Sequence, residues 1–249
     1  MNYNVEINGL QVEAHYNENT INEIFIPLLK KLTGMYAQKQ ERILVMLAAP
    51  PGAGKSTLLS FLEYLSKEQS DIEEIQAIGM DGFHHYQDYQ LSHSTELDGE
   101  VIPMVKIKGA PITFDLDGLT ERIQQIKTMD KCGWPIYDRT LHNPVDNVIT
   151  VTKNIILLEG NYLLLNRLGW KDLAGFADFT IFVSADEDML FNRLLERKAR
   201  TVDSLDEAKA FVEYSDMRNA REVLNNSIDA DLTLKVTEDD DYVIINKSY

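Results

Sequence analysis

The sequence predicts an α/β fold in which a parallel sheet is covered by helices on both faces. Three observations predict it. From residue 43 onward, short apolar runs alternate with amphipathic stretches, the rhythm of strands buried on both faces and joined by crossover helices. Between one such run and the next amphipathic stretch lies Ala49-Pro50-Pro51-Gly52-Ala53-Gly54-Lys55-Ser56-Thr57, a glycine-rich strand-to-helix turn. The chain has 249 residues, 44% of them hydrophobic, enough to bury one substantial core and too apolar for a disordered chain.

Residues 3–16 alternate about Asn8-Gly9, a two-residue signal for a type I′ turn, with Val5 and Ile7 on one arm of a hairpin and Leu10 and Val12 on the other. Thr20-Ile21-Asn22-Glu23 has the form of a capping box, and Ile21, Ile24, Phe25, Leu28, Leu29 and Leu32 keep helical spacing to about residue 38. Pro27 is expected to kink or delay that helix. In the core, strands are expected at 43–48, 75–80, 155–158, 180–183 and 232–236. Helices are expected at about 55–66, 116–129 and 186–200, with more helix between 205 and 225. About 75 residues separate the second strand from the third, more than a crossover needs and room for a substrate-binding insertion. No repeat or linker rich in Gly, Ser and Pro divides the chain, so residues 1–249 read as one domain, with 1–40 an appendage on a core at 43–236.

Lys and Arg number 24 against 40 Asp and Glu, a formal net charge of −16, which excludes nucleic-acid binding by broad charge attraction. Cys132 is the only cysteine, so there is no internal disulfide and no CxxC site, in keeping with a reducing compartment. The start, MNYNVEINGL, lacks the basic end and apolar run of a signal peptide, and no apolar stretch reaches the length of a membrane span. A soluble, cytoplasmic protein is expected, with no nucleic-acid and no membrane partner. A homodimer is compatible with the sequence, which shows no feature demanding one.

The glycine-rich turn carries the chemistry. Backbone N–H groups from Pro51, Gly52, Ala53, Gly54, Lys55, Ser56 and Thr57 onward (proline excepted) can wrap a polyphosphate such as that of ATP, and the helix dipole adds positive potential. Lys55 would reach the β and γ phosphates and Ser56 would ligate Mg²⁺. Ala49 stands where the pattern G-x-x-x-x-G-K-[ST] has its first glycine, a change the backbone tolerates at negative φ. The plain alternative is a strand-to-helix turn that happens to carry a lysine.

Ligands of an open parallel sheet lie beyond the carboxyl ends of its strands, which selects two acids. Asp81 closes the second strand and Glu159 the third, each followed by a glycine that would let the chain turn sharply. Phosphoryl transfer needs an acid to orient or deprotonate the attacking hydroxyl and another to hold Mg²⁺. Asp81 is expected in the first role and Glu159 in the second, against the alternative that either caps the following turn. His84 and His85 are adjacent, point opposite ways on an extended chain, and have no zinc-spaced companions. Substrate contact by one of them is the better reading.

Further pieces stand in order between residues 40 and 236: MDGFHH at 80–85, KGAPITFD at 108–115, PIYDR at 135–139, LLEGNYLLL at 157–165, RLLERK at 193–198 and SDMRNA at 215–220. With APPGAGKST at 49–57, this set resembles the P-loop kinases of the uridine kinase, phosphoribulokinase and bacterial pantothenate kinase superfamily. Within it, the likeness is greatest to the group named nucleoside, nucleotide or fructose-transport kinases. The resemblance implies a three-layer P-loop NTPase fold with a five-stranded parallel sheet of order 2-3-1-4-5, a helical lid at about 190–225, and ATP with Mg²⁺. It also implies a small substrate bearing a hydroxyl. Asp81 then corresponds to the catalytic acid, and His84, Tyr137 and Arg139 to part of the acceptor pocket. Glu159 corresponds to the carboxylate after the Walker B strand, and Arg193 and Arg197 to the lid arginines. Two departures are Ala49 and the run Ala199-Arg200-Thr201-Val202-Asp203, where a glycine-containing turn is expected.

Arg193, Arg197 and Arg200 recur at spacings of four and three and share a helix face, with Leu190, Leu194 and Leu195 toward another. They could surround phosphates or form a solvated face laced with Glu196 and Asp188. Lys106 and Lys108 could meet an anionic substrate group or be edge-strand lysines that block strand pairing. Asp115 reads as an N-cap. Asp115-Leu116-Asp117-Gly118 matches D-x-x-G, yet no strand precedes it and no N-K-x-D follows, which rejects a GTPase. The expected function is transfer of the ATP γ-phosphate to a hydroxyl of a small metabolite, a nucleoside or sugar foremost. The rival is an ATP-binding switch that acts on a partner protein.

Overall fold

The computed structural model describes residues 1–7 and 10–248, Leu10 by its backbone alone. Its strands are β1 (Asn2–Ile7), β2 (Leu10–His15), β3 (Ile43–Ala48), β4 (Ile75–Gly79), β5 (Ser94–Leu97) and β6 (Glu100–Pro103). They continue with β7 (Cys132–Asp138), β8 (Asn143–Val151), β9 (Ile155–Gly160), β10 (Phe179–Ser184), β11 (Leu232–Val236) and β12 (Tyr242–Lys247). The central sheet runs β12-β11-β10-β3-β9-β4. Its five parallel members, counted along the chain, have the order 2-3-1-4-5. Beyond them a sixth strand, β12, pairs antiparallel with β11, so the sheet is one strand wider than expected. Its signal was the apolar run Tyr242-Val243-Ile244-Ile245 after the acidic turn at 238–241.

All six residues of β3 are buried, which explains why Ile-Leu-Val-Met-Leu-Ala shows no alternation: both faces are covered. Ile43, Val45 and Leu47 join Leu58, Phe61 and Leu62 of the helix Lys55–Glu68 in one apolar cluster. Leu44 and Met46 join Leu119, Ile123 and Trp134 in the other.

The N-terminal segment shares the first cluster through Tyr16, Phe25, Leu28 and Leu32. β1 and β2 pair as expected, while the Asn8-Gly9 turn lies outside the described residues. The capping box does not form. The helix begins at Glu18 after Asn17, and Thr20 is already helical with no side-chain cap. Residues Ile21–Phe25 form a π-helical turn, and the α-helix Ile26–Lys39 follows with Pro27 in its first turn. The wider turn accommodates a proline that has no N–H to give and whose ring crowds the carbonyl four residues back.

The insertion between β4 and β9 holds the hairpins β5–β6 and β7–β8 and the helix Leu116–Thr128, which Asp115 caps by accepting from Gly118 N at 3.0 Å. The β7–β8 hairpin lies against the chain just after β4. Trp134 is fully buried and its Nε1 donates to the Gly79 carbonyl at 2.8 Å. A Cβ placed on Gly82 would fall 2.4 Å from the Pro135 carbonyl oxygen. Gly82 therefore serves close approach of two backbones rather than the sharp turn expected of it, and its φ is not positive. At Gly160 the close neighbour is a side chain instead, its Cβ position lying 2.1 Å from Met80 Sδ.

Candidate active site

The P-loop leaves β3 at Ala49, which is fully buried and lies outside the positive-φ residues, so alanine is accommodated there as the sequence suggested. Gly52 and Gly54 do take positive φ, 87° and 79°. These left-handed positions curl the chain so that the helix Lys55–Glu68 starts with its N-terminal N–H groups toward the loop.

β9 pairs with β3 on one side and β4 on the other, placing Glu159 opposite Leu47 and Gly79. Glu159 thus stands between the P-loop and the turn that carries Asp81. Ser56 Oγ donates to its Oε1 at 2.6 Å, and Lys55 Nζ lies 3.9 Å from its Oε2. Burial pushes the Glu159 carboxyl above the ordinary carboxylate range; Lys55 and the Ser56 hydroxyl oppose this, while Asp81 adds to it.

Asp81 sits in the 3₁₀ turn Met80–Phe83, just beyond β4. Its backbone carbonyl accepts from His84 N at 3.2 Å and lies 2.8 Å from His84 Nδ1. The imidazole lies tilted against Phe114, 3.9 Å between ring centroids, and 5.1 Å from Tyr137, and burial lowers its pKa. His85 turns the other way, toward Tyr89, as the alternation of an extended chain requires. A cleft of about 410 Å³ joins Ser56, Asp81, Tyr137 and Glu159. Glu6 and Ile7 of β1 supply part of its lining, a contribution that nothing in the N-terminal sequence announced. A second depression, of about 380 Å³, lies among Asp98, Tyr214, Arg218 and Arg221 and contains none of the expected site residues.

The arginines separate. Arg193 reaches the P-loop, its Nη1 donating to the Gly52 carbonyl at 3.1 Å, and ion-pairs with Asp240. Arg197 lies 3.6 Å from Asp216 rather than on the loop, and Arg200 pairs with Glu196 at the surface. Lys106 and Lys108 are not on an edge strand: Lys106 lies within the 3₁₀ turn Met104–Ile107 and is exposed, and Lys108 follows that turn. Lys108 Nζ donates to the Tyr137 hydroxyl and lies 4.4 Å from the centroid of that ring. The adjoining backbone is fixed by Tyr162, whose buried hydroxyl donates to the Gly109 carbonyl at 2.5 Å.

The sequence profile of the Phosphoribulokinase / Uridine kinase family matches residues 44–238, from the P-loop strand through β11. The chain belongs to this family. Among relatives of known sequence, the chain is 39% identical to the uncharacterized protein YggC of Escherichia coli (strain K12), over 97% of this chain and 98% of that one. It is 31% identical to a Schizosaccharomyces pombe protein named provisionally as a uridine kinase, over 79% of this chain and 84% of the other. Among solved structures, one from Silicibacter sp. TM1040, described provisionally as a fructose transport system kinase, superposes with a TM-score of 0.72 at 29% identity, covering 82% of this chain and 98% of that one. Phosphoribulokinase from Rhodobacter spheroides shares the fold at a TM-score of 0.52 and 12% identity, over 80% and 72% of the two chains. The family is one of small-molecule kinases, uridine kinase and phosphoribulokinase among them. No helix among the described residues is long and apolar enough to cross a membrane.

Proposed function

We propose that the protein transfers the γ-phosphate of ATP to a hydroxyl of a small metabolite, with nucleosides and sugars as the acceptors to test first. The observation that carries this is the single cleft in which the P-loop hydroxyl of Ser56, Glu159, Asp81 and the insertion residue Tyr137 meet. A nucleotide switch has no use for an acid and an insertion wall on the far side of the phosphate site.

Lys55 and the loop amides would bind the β and γ phosphates, and Arg193 would hold the loop in shape through the Gly52 carbonyl. Asp81 would orient the acceptor hydroxyl and take its proton. His84, Tyr137 and Arg139 would position the rest of the acceptor, and Arg197 would approach the phosphates only by leaving Asp216. A Mg²⁺ ion fits the donor set: Ser56 and Glu159 offer one hydroxyl and one carboxylate. Among the described residues no cluster of His, Cys, Asp and Glu could bind a metal unaided. An ion held by Ser56 and Glu159 would take its remaining ligands from phosphate oxygens and water. When bound, Mg²⁺ neutralises phosphate charge.

The test is ATP turnover with and without acceptors from a panel of nucleosides, sugars, pantothenate and glycerate, on wild type and Asp81→Asn. Acceptor-dependent transfer should fall by about 10² or more in the variant, acceptor-independent hydrolysis much less, and ATP affinity hardly at all. An equal fall in both activities, or no stimulation by any acceptor, refutes the reading and favours the switch.

A further inference from the structure

The strand β1 reaches the cleft from outside the family-matched region. Its half-buried residues are Tyr3, Val5 and Ile7, in alternation with the exposed Asn2, Asn4 and Glu6. Tyr3 pins the strand to the helix Lys55–Glu68. Its hydroxyl donates to the Ser60 carbonyl at 3.1 Å and lies 2.8 Å from Ser60 Oγ, and its ring centroid is 5.2 Å from that of Phe61 and 5.4 Å from that of Tyr64. Ser60 also lines the cleft, with Ser56, Leu59 and Glu63 of the same helix face. From Ser56 to Glu63 that face runs two turns, about 10 Å, a span for the body of a small metabolite as well as its reacting hydroxyl.

The end of β1 is built for a ligand rather than for the core. Tyr3 packs against the apolar cluster beneath it, whereas Ile7 belongs to neither apolar cluster and lines the cleft with Leu59, Ile136 and Ile149. Glu6 Oε2 accepts from Gln11 Nε2 at 3.2 Å, and among the described residues no lysine or arginine pairs with this carboxylate. Glu63 is already engaged, its Oε1 by Lys67 at 2.8 Å and its Oε2 by Ala77 N at 3.4 Å. Four of the residues that line the cleft are acids, and none is a lysine or arginine. Carboxylates a few ångströms from a second anion repel it, whereas an N–H or O–H donor finds a partner in Glu6.

We propose that the end of β1 is a specificity wall of the acceptor site. Ile7 packs on the body of the acceptor and Glu6 accepts a hydrogen bond from it, so that the cleft takes uncharged or amine-bearing hydroxyl compounds and rejects those carrying a phosphate or carboxylate. The inference rests on the proposed function for the location of the acceptor, and it adds to the site two residues that precede the kinase core.

The test has two arms. In the first, protein saturated with MgAMPPNP, which fills the P-loop, is mixed with matched probes: glucose, glucosamine and glucose 6-phosphate, and uridine with its monophosphate. Binding is read by saturation-transfer NMR titration on wild type, Ile7→Trp, Glu6→Lys and Asn4→Lys, each shown to be folded by thermal unfolding. Wild type should bind an uncharged or amine-bearing member at least about tenfold more tightly than its phosphate ester. Ile7→Trp, which fills the cleft, should weaken that binding about tenfold, and Glu6→Lys should move the preference about tenfold toward the ester. Asn4→Lys makes a lysine on the exposed face of the same strand, outside the cleft lining, and should behave as wild type. In the second arm, the acceptors that bind are compared in turnover. Ile7→Trp should raise the acceptor KM about tenfold and leave the ATP KM within about twofold. Tighter binding of the phosphate ester in both sets overturns the specificity wall, as do Ile7→Trp and Glu6→Lys proteins that bind like wild type, or no binding of any probe. An equal rise in both KM values also overturns it, since the hairpin would then act on the fold as a whole. If probes bind as expected and none is phosphorylated, the kinase reading fails and the wall stands on the first arm.

Discussion

Gly82→Ala probes how the acceptor side of the cleft is held to Asp81. The added Cβ would lie 2.4 Å from the Pro135 carbonyl oxygen, 2.5 Å from its carbon and 2.8 Å from Ile136 N, where ordinary contact begins near 3.4 Å. All three are backbone atoms, so no side chain can rotate aside, and β7 must retreat by about 1 Å in a tightly packed interior. Overpacking of this kind costs about 1–3 kcal/mol, which for a chain of this size lowers Tm by roughly 2–12 °C. The retreat also separates Tyr137 from Asp81, and a misplacement of about 1 Å can cost about 10² in rate. The P-loop and Lys55 are not part of the contact, so AMPPNP affinity should stay within about twofold. Thermal unfolding, nucleotide titration and acceptor-dependent turnover together form the assay. Gly34→Ala is the control: nothing lies within 4 Å of its Cβ position in the helix Ile26–Lys39, so it should stabilise by about 0.5–1 kcal/mol. A Gly82→Ala protein that melts and turns over like wild type refutes the close-approach argument.

Three other outcomes are expected. Lys55→Ala should abolish transfer while leaving thermal unfolding near wild type, because among the described residues its one ion-pair partner is Glu159, at 3.9 Å; unchanged turnover would remove the P-loop assignment. Glu159→Gln should raise the Mn²⁺ concentration needed for half-saturation in the presence of AMPPNP, read by electron paramagnetic resonance, whereas Asp81→Asn should not; equal effects would show that the two acids do not divide these roles. Burial depresses the His84 pKa, so below about pH 6.5 the unfolded chain binds a proton that the folded chain resists, and stability falls as pH drops through that region. His84→Asn should flatten this part of the pH–stability curve, measured by urea unfolding between pH 7.5 and about 5 on the two proteins; parallel curves would show that the imidazole is not desolvated.

Much of this was legible in the residues because local and global signals agreed. The P-loop strand, the helix after it and the parallel sheet rest on apolar periodicity and on glycines that only a left-handed turn requires, and the structure has them where the sequence put them. Asp81 and Glu159 were legible because a strand end fixes where a carboxylate lies. The failures have a common cause. Thr20 and Glu23 satisfy a capping pattern, but a cap needs a chain break in helical φ and ψ, and the helix here had already begun at Glu18. The partners of Gly82 and Gly160 are residues 135 and 80, so their need for glycine is tertiary and local sequence suggested a turn instead. The same holds for Lys108, whose meeting with Tyr137 spans 29 positions, and for Glu6, which reaches the cleft from an N-terminal hairpin outside the family-matched region.

The contacts that hold the two sides of the cleft differ in strength, and this bears on the missing glycine after the expected lid arginines. The acceptor arm is fastened by a fully buried tryptophan with a satisfied indole N–H and by backbone contact at Gly82; losing a buried tryptophan costs about 3–5 kcal/mol. The helix Glu187–Ala199 is fastened only in its first half, where Leu190 and Leu194 are fully buried and Leu194 Cγ lies 3.1 Å from the Cβ position of Gly52. Past Leu194 its ties are made by half-exposed or exposed cations: Arg197 to the largely buried Asp216, Arg200 to Glu196, and Lys198 over the Phe211 ring at 3.5 Å. A fully exposed pair such as Arg200–Glu196 contributes about 0–1 kcal/mol. A segment held so weakly can leave its resting position without a glycine to relax the backbone, because the cost of motion is set by the contacts broken and the bend can be shared over residues 199–204. Arg193 lies on the anchored side of that division and stays with the P-loop, whereas Arg197 lies on the free side. The two arginines that the sequence treats as equivalent are therefore mechanically distinct: one shapes the phosphate loop at rest, and the other can reach it only when the distal half of the helix moves.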